Sequence, residues 1–225
     1  MKLKNIFASA LCSILIISTV SCGIPQIEGD TLINQAREDY ASLNSAQVIM
    51  TNMDTNEIEQ TFTFKYDEKD TLIFSYYGKS EKTEYAQFNN GAECYTYDNG
   101  TLTHTVKGDK NFQRYTRDAV HPQASESLLI FDPKAITAAE VKEENGITRI
   151  RHIYDVSKIN AQGEEGEVTG FSAEYYFDKN KKLMYFVEVT IENVDGKEKK
   201  HSIKVEITKQ NAVNRVENTT KQFQN

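Results

Sequence analysis

The hydrophobic and polar positions of this chain follow two different periods, one after the other. From Asp30 to Leu43 apolar residues recur every three or four positions, which predicts an amphipathic helix with Asp30 as its N-cap. From Ala46 onward the period is two, as in strands with one buried face. The apolar stripe of the predicted helix consists of Leu32, Ile33, Ala36, Tyr40 and Leu43.

The alternating segments are separated by short turn signals, so they predict consecutive hairpins. Asn99–Gly100 and Asn145–Gly146 are typical of two-residue hairpin turns, because both turn positions need positive φ. Two further strands are expected on either side of Asp195–Gly196, with Leu183, Tyr185, Val187, Val189 and Ile191 continuing the alternation. The other predicted strands cover 58–67, 72–76, 85–88, 94–97, 102–106, 139–145, 147–154 and 171–177.

Three segments lack this alternation. Residues 107–137 contain two of the three prolines and predict a crossover loop over one end of the sheet, with a short helix at 123–131. Residues 155–170 are polar and rich in glycine, which predicts a mobile excursion, and the polar tail after Lys209 is expected to fray. The pattern as a whole predicts a single α+β domain, in which an antiparallel sheet carries a helix against its concave face.

The first 22 residues have the order of an export signal. Lys2 and Lys4 precede an uncharged apolar stretch at 6–17, which is shorter than the roughly 20 residues of a membrane span. The sequence Val20-Ser21-Cys22-Gly23 resembles a bacterial lipobox, although Thr19 departs from its aliphatic preference. The resemblance implies cleavage before Cys22 and acylation of its thiol, for instance with palmitate. The alternative is an ordinary signal peptide with an incidental cysteine near its end.

This interpretation divides the chain into four segments and predicts its cellular location. We expect a signal peptide at 1–21, a tether at 22–30, a folded domain at 31–209 and a polar tail at 210–225. The protein would be exported and held on a bacterial membrane by its lipid, at the cell surface or on the periplasmic face. A net charge of −7 provides no electrostatic footprint for nucleic acid or for an anionic bilayer surface.

The residues that usually carry chemistry are scattered. After processing and acylation only Cys94 would remain, so we expect a buried, inert thiol and no internal disulfide. The adjacent glutamates at 143–144 and 164–165 would point to opposite sides of a strand, so they do not form an acid–base pair. We therefore expect no metal, no cofactor and no enzymatic activity. The four histidines are isolated: His104, His121, His152 and His201, the last expected to be a structural, hydrogen-bonded residue.

The order of lipobox, tether, amphipathic helix and interrupted antiparallel meander resembles the half-barrel carriers. These are the periplasmic lipoprotein-carrier family and its lipidated relatives, which carry lipids and lipoglycans in actinobacteria. Tyr85–Gly100 is similar to that family's passage of strand, Asn/Asp-Gly and aromatic strand, and Phe171–Val189, with its turn at Asp178, resembles the later strand pair. Over residues 31–209 the resemblance implies a half-barrel sheet wrapped around the N-terminal helix, and a non-enzymatic role in binding or transferring a lipid or other apolar ligand.

Aromatic residues would line the concave face of such a sheet. As candidate ligand-binding residues the pattern gives Phe62, Phe64, Tyr66, Phe74, Tyr76, Tyr175 and Phe177. An aromatic face on a half-buried sheet is also an ordinary core. The rival interpretation is therefore an anchored envelope module with a fully packed core and no ligand, which acts as a partner for other envelope proteins. A third possibility is an enzyme that assembles its site from the 107–137 and 155–170 segments.

Overall fold

The computed structural model describes residues 27–80, 82–116, 129, 132–159, 163 and 165–224. The predicted signal peptide, Cys22 and almost all of the predicted helix at 123–131 lie outside these residues. The described chain contains one α-helix, α1 (Asp30–Ala41), the ten predicted strands and one more at 45–52. The strands are β1 (Ser45–Asn52), β2 (Ile58–Tyr66), β3 (Leu72–Lys79), β4 (Glu84–Asn89), β5 (Glu93–Asp98), β6 (Thr101–Val106), β7 (Ile136–Glu144), β8 (Ile147–Tyr154), β9 (Glu167–Phe177), β10 (Leu183–Val194) and β11 (Lys197–Thr208).

All eleven strands form one antiparallel sheet. Its order is β6-β5-β4-β3-β2-β1-β11-β10-β9-β8-β7, so two meanders are joined at the centre by the pairing of β1 with β11. The turn residues confirm the hairpin signals, because Asn99, Gly100, Asn145 and Gly146 all have positive φ. β9 begins at Glu167, so the loop predicted at 155–170 is too long at its C-terminal end.

Helix α1 begins differently from the prediction. Its N-cap is Gly29, at a φ of 84°, without a side-chain cap, and Asp30 is the first helical residue. The prediction of Asp30 as N-cap is therefore wrong. A Cβ at position 29 would lie 2.7 Å from the side chain of Ile150, so glycine lets the start of the helix approach β8 closely. His152 on β8 makes a 3.1 Å hydrogen bond with the Glu28 carbonyl and ties the helix entry to the same strand.

The apolar stripe of α1 packs against the sheet. Ile33, Ala36 and Tyr40 are buried, and the Tyr40 ring meets Phe64 on β2 edge-on, with ring centroids 6.1 Å apart. These residues share one hydrophobic cluster with buried residues of β1–β3 and β8–β11. Tyr115 and Leu129, from the predicted crossover segment, belong to the same cluster. We call the side of the sheet that contributes to this cluster the inner face.

Strand β10 has a register shift that changes which of its residues face inward. Leu183 lies opposite Phe177, but two residues later Tyr185 lies opposite Tyr176. The extra residue reverses the alternation, as β-bulges do. Beyond Leu183 the expected phase is therefore wrong: Phe186 and Glu188 face inward, whereas Tyr185, Val187, Val189 and Ile191 face outward.

The C-terminal tail packs across the outer face of the sheet instead of fraying. Val213 and Val216 are buried, and the Thr219 hydroxyl lies 2.7 Å from the Ser75 hydroxyl on β3. The chain ends in a 3-10 helix, Thr219–Phe223, and the Phe223 ring stacks on Tyr97 with centroids 3.6 Å apart. The prediction of a frayed tail is wrong because sparse but well-placed apolar residues fasten an otherwise polar segment.

Candidate ligand site on the inner face

The seven aromatic residues predicted for ligand binding all lie on the inner face. Phe62 pairs with Tyr76 and Phe64 with Phe74 across β2 and β3, while the Tyr175 and Phe177 positions follow on β9. Their burial is that of core residues, and their part in ligand binding stays a prediction. Six are at most 5% exposed, namely Phe64, Tyr66, Phe74, Tyr76, Tyr175 and Phe177, whereas Phe62 is half-buried.

The inner face is not uniformly buried. A set of half-buried residues follows consecutive strands across it, from β2 through β1 and β11 to β10. Three are apolar and would be expected in the core, and the other two are polar. We call this set the inner-face recess: Phe62, Met50, Ile203, Glu188 and Thr190.

Glu188 is the unusual member of the recess. It stands in register between Ala173 of β9 and Ile203 of β11, and no described residue gives it a hydrogen bond or an ion pair. Burial raises the pKa of its carboxyl to about 8. A carboxyl that keeps accessible surface and is nevertheless strongly desolvated is closely surrounded by protein atoms. At neutral pH Glu188 is therefore mostly a neutral carboxylic acid, which can donate one hydrogen bond and accept others.

Two tyrosines of the neighbouring strands complete the surroundings of Glu188. Tyr154 of β8 and Tyr175 of β9 hydrogen bond to each other through their side chains, and both interact electrostatically with the Glu188 carboxyl. Burial raises the pKa of each phenol well above its usual value, so both remain neutral near pH 7. The two tyrosines near Glu188 are consequently uncharged hydrogen-bonding groups, and Arg37 of the helix interacts electrostatically with both of them.

A second carboxyl at the margin of the inner face behaves in the opposite way. Glu59 sits at the register shift between β1 and β2, where its carboxylate accepts a 2.6 Å hydrogen bond from Asn52 and lies 3.7 Å from His201 Nε2. Although burial alone would raise the pKa of Glu59, hydrogen bonds from His201 and Asn52 hold it below its usual value. This agrees with the prediction of a structural His201. Glu59 thus has partners that keep it ionised, whereas no described residue does this for Glu188.

Sequence reasoning missed Glu188 because the alternation placed it outward. A signal was present in the three consecutive apolar residues at 185–187, since a strict period of two cannot assign all of them to one face. An apolar Phe186 in the supposedly outer phase indicates either a bulge or burial on both faces. With the bulge, Glu188 becomes a carboxyl on an otherwise apolar surface.

Two of the other acidic residues singled out by the sequence, Glu143 and Glu165, have structural partners. Glu143 is ion-paired with Lys181 and accepts a hydrogen bond from Thr148, and these hydrogen bonds lower its pKa. Glu165 lies 3.0 Å from Lys199, and Glu164 is outside the described residues. A pocket of about 300 Å³ opens at the β7–β8 hairpin turn and has no aromatic residue in its lining. It is lined by Glu143, Glu144, Asn145, Gly146, Thr148, Lys179 and Lys181.

Cys94 and the histidines form no further site in the described part of the chain. Cys94 is half-buried rather than buried, with its Sγ 3.5 Å from the Gln87 side-chain nitrogen. His104 stacks on Tyr95, and His121 lies outside the described residues. Within the described ranges no three His, Cys, Asp or Glu residues are grouped so that they could hold a metal ion, and no helix there has the length and apolarity to cross a membrane.

Comparison with known proteins gives a limited result. No protein-family model matches the chain, and no curated protein matches it. Among solved structures it is similar to the crystal structure of LprF from Mycobacterium bovis, with a TM-score of 0.49 and 12% sequence identity, over 87% of this chain and 99% of that one. A similarity at this level establishes no shared ligand, so the site has to be interpreted from its own residues.

Proposed function

We propose that the protein is an exported lipoprotein, anchored through Cys22, whose inner face binds or transfers a lipid or another apolar ligand without catalysing a reaction. The anchor is supported by the lipobox-like sequence at 20–23, and the half-barrel shape by one antiparallel sheet that shares its inner-face core with a single helix. The ligand would occupy the inner-face recess.

The observation that carries the ligand proposal is the half-burial of the recess beside a fully packed core. Phe64, Tyr175 and Phe186 are completely buried on the same face on which Met50 and Ile203 keep accessible surface. When an apolar ligand covers partly accessible apolar side chains, binding is favoured by about 25 cal/mol for each Å² of apolar surface removed from water. The recess therefore has the composition of an apolar ligand site.

The second candidate is the anchored interaction module with a packed core. It is favoured by the burial of six of the seven predicted aromatic residues, which leaves them no accessible surface to offer a ligand. In that case the recess would be incidental, and partners would bind the polar outside of the molecule.

Binding of an uncharged fluorescent polyene to residues 22–225 carrying Cys22→Ala separates the two candidates, because this chain contains the whole described core. We expect Ile203→Asp to weaken binding at least tenfold, since it places a charge in the recess. Ile49→Asp is the matched control: Ile49 is also half-buried but lies on the outer face, opposite Thr61 and Glu206. Equal loss of binding in both variants, or no binding by the parent, would favour the packed module.

The anchor has its own test in cells. Feeding bacteria an alkyne-tagged fatty acid should label the full-length protein, and Cys22→Ala should abolish the label. Cys94→Ala is the control, because Cys94 lies in the folded sheet and should leave labelling unchanged. Continued labelling of the Cys22→Ala protein would show that the lipid is attached elsewhere.

A further inference from the structure

We propose that Glu188 recognises the ligand by donating a hydrogen bond to an uncharged oxygen acceptor, such as an ester or amide carbonyl, carried on an apolar chain. The inference rests on the proposed function, because it assigns a chemical class to the ligand of the same recess. It goes further in selecting among apolar molecules: pure hydrocarbons and ligands with an ionised group at this position would be disfavoured.

The placement of Glu188 is the first argument. Its register partners Ala173 and Ile203 are apolar, and its inner-face neighbours along β10 are Phe186 and Thr190. Leucine or valine at this position would continue the apolar face without the cost of desolvating a carboxyl. A strongly desolvated carboxyl with no hydrogen-bond partner among the described residues is uncommon, and a ligand can supply the missing hydrogen bond.

The protonation state of Glu188 selects the type of ligand group. Burial is the cause of its raised pKa, and no cation among the described residues offsets it. Near pH 7 the group is therefore mainly a donor, which suits a carbonyl oxygen. A phosphate or carboxylate anion would find no described cation acting on Glu188, and it would also push Glu188 further from ionisation.

The other titratable and charged groups around the recess do not replace Glu188 in this role. Tyr154 and Tyr175 have raised pKa values and are joined by a hydrogen bond to each other, and Glu59 is ionised and paired with Asn52 and His201. From the helix, Arg37 interacts electrostatically with both tyrosines. Glu188 is the group whose hydrogen-bonding capacity is not met by described residues.

The experiment compares two probes of equal chain length, a long-chain methyl ester and the corresponding alkane, on the Cys22→Ala protein of residues 22–225. At pH 6.5 we expect the parent to prefer the ester about fivefold, the value of one net hydrogen bond. Glu188→Gln, which keeps a donor and an acceptor, should retain the preference, and Glu188→Leu should bind both probes equally. Urea unfolding at the same pH shows that the variants are folded.

The pH dependence provides the second readout. At pH 9.5 Glu188 is ionised in the parent, so both the ester preference and the affinity should fall, while Glu188→Gln should keep both. His201→Gln is a control for the neighbouring Glu59–His201 pair. In that variant the affinity should still fall between pH 6.5 and pH 9.5. If Glu188→Leu keeps the ester preference, or if Glu188→Gln loses affinity with pH as the parent does, the inference is wrong although the recess still binds apolar ligands. If neither probe binds the parent, the proposed function fails and the inference with it.

Discussion

The inner face has two regions that are built from similar residues and differ in burial. In the packed core Phe64, Phe186 and Tyr175 are fully enclosed: Phe64 meets Tyr40 of helix α1 edge-on, and Tyr175 stacks on Phe186. In the inner-face recess, Phe62, on the same strand as Phe64, and Met50 on the next strand are also apolar but keep accessible surface. Aromatic composition therefore does not distinguish a core from a ligand site on this sheet. The distinction comes from what covers each region, and from a carboxyl that only the recess contains.

The largest expected effect separates Phe64 from Phe62, two residues apart on the same face of β2. Phe64→Ala should destabilise the domain by about 3–5 kcal/mol, because it empties a fully enclosed position, and Phe62→Ala by about 1–2 kcal/mol. Urea unfolding measures both. The order is reversed for ligand binding: in the absence of urea, where both variants are folded, Phe62→Ala should weaken polyene binding more than Phe64→Ala does. Equal destabilisation by the two changes would contradict the claim that the two regions differ in burial.

A smaller effect isolates the carboxyl of the recess through its pH dependence. The folded-state pKa of Glu188, about 8, is above the value of about 4.3 in unfolded chains, so between these values the unfolded state binds fewer protons and stability falls as pH rises. Relative to Glu188→Gln, the free energy of unfolding of the parent, measured by urea unfolding, should therefore fall by on the order of 2–4 kcal/mol between pH 5 and pH 8.

The comparison between parent and variant is needed because other groups also titrate. Burial lowers the pKa of His152, which makes the fold less stable as pH falls, but it does so equally in both proteins. Parallel stability curves for the parent and Glu188→Gln would mean that Glu188 is solvated and that the recess is open to bulk water.

The smallest effect is expected on the outer face. Phe223→Ala removes the ring stacked on Tyr97 and should cost about 1 kcal/mol, because the Phe223 side chain is only half-buried. Ligand binding should not change, since the tail lies on the side of the sheet opposite the recess. A loss of polyene binding in this variant would show that the two faces are coupled.

Much of the fold follows from local patterns in the sequence. The helix stripe, the hairpin dipeptides and the alternation in β2 and β9 each depend on neighbouring residues, and the structure agrees with them. The errors occur where distant parts of the chain decide the outcome. Gly29 replaces Asp30 as the N-cap because Ile150 lies against it, and Phe223 holds the tail because Tyr97 is there to stack upon.

The candidate site was less predictable for the same reason. A register shift of one residue in β10 turns Glu188 from the outer to the inner face, and a period-two pattern cannot show where such a shift falls. The burial of Phe64 and Tyr175 likewise depends on the helix that covers them. The sequence could therefore indicate an aromatic inner face but not which part of that face is accessible.

The most direct test of an apolar ligand site is native mass spectrometry of residues 22–225 carrying Cys22→Ala, produced in bacteria and purified without detergent. The account predicts a bound mass at close to one equivalent, which organic extraction identifies as an uncharged lipid, and loss of that mass in Ile203→Asp. A clean unliganded mass, with no uptake after incubation with lipid vesicles, would contradict it and leave the packed interaction module as the better description.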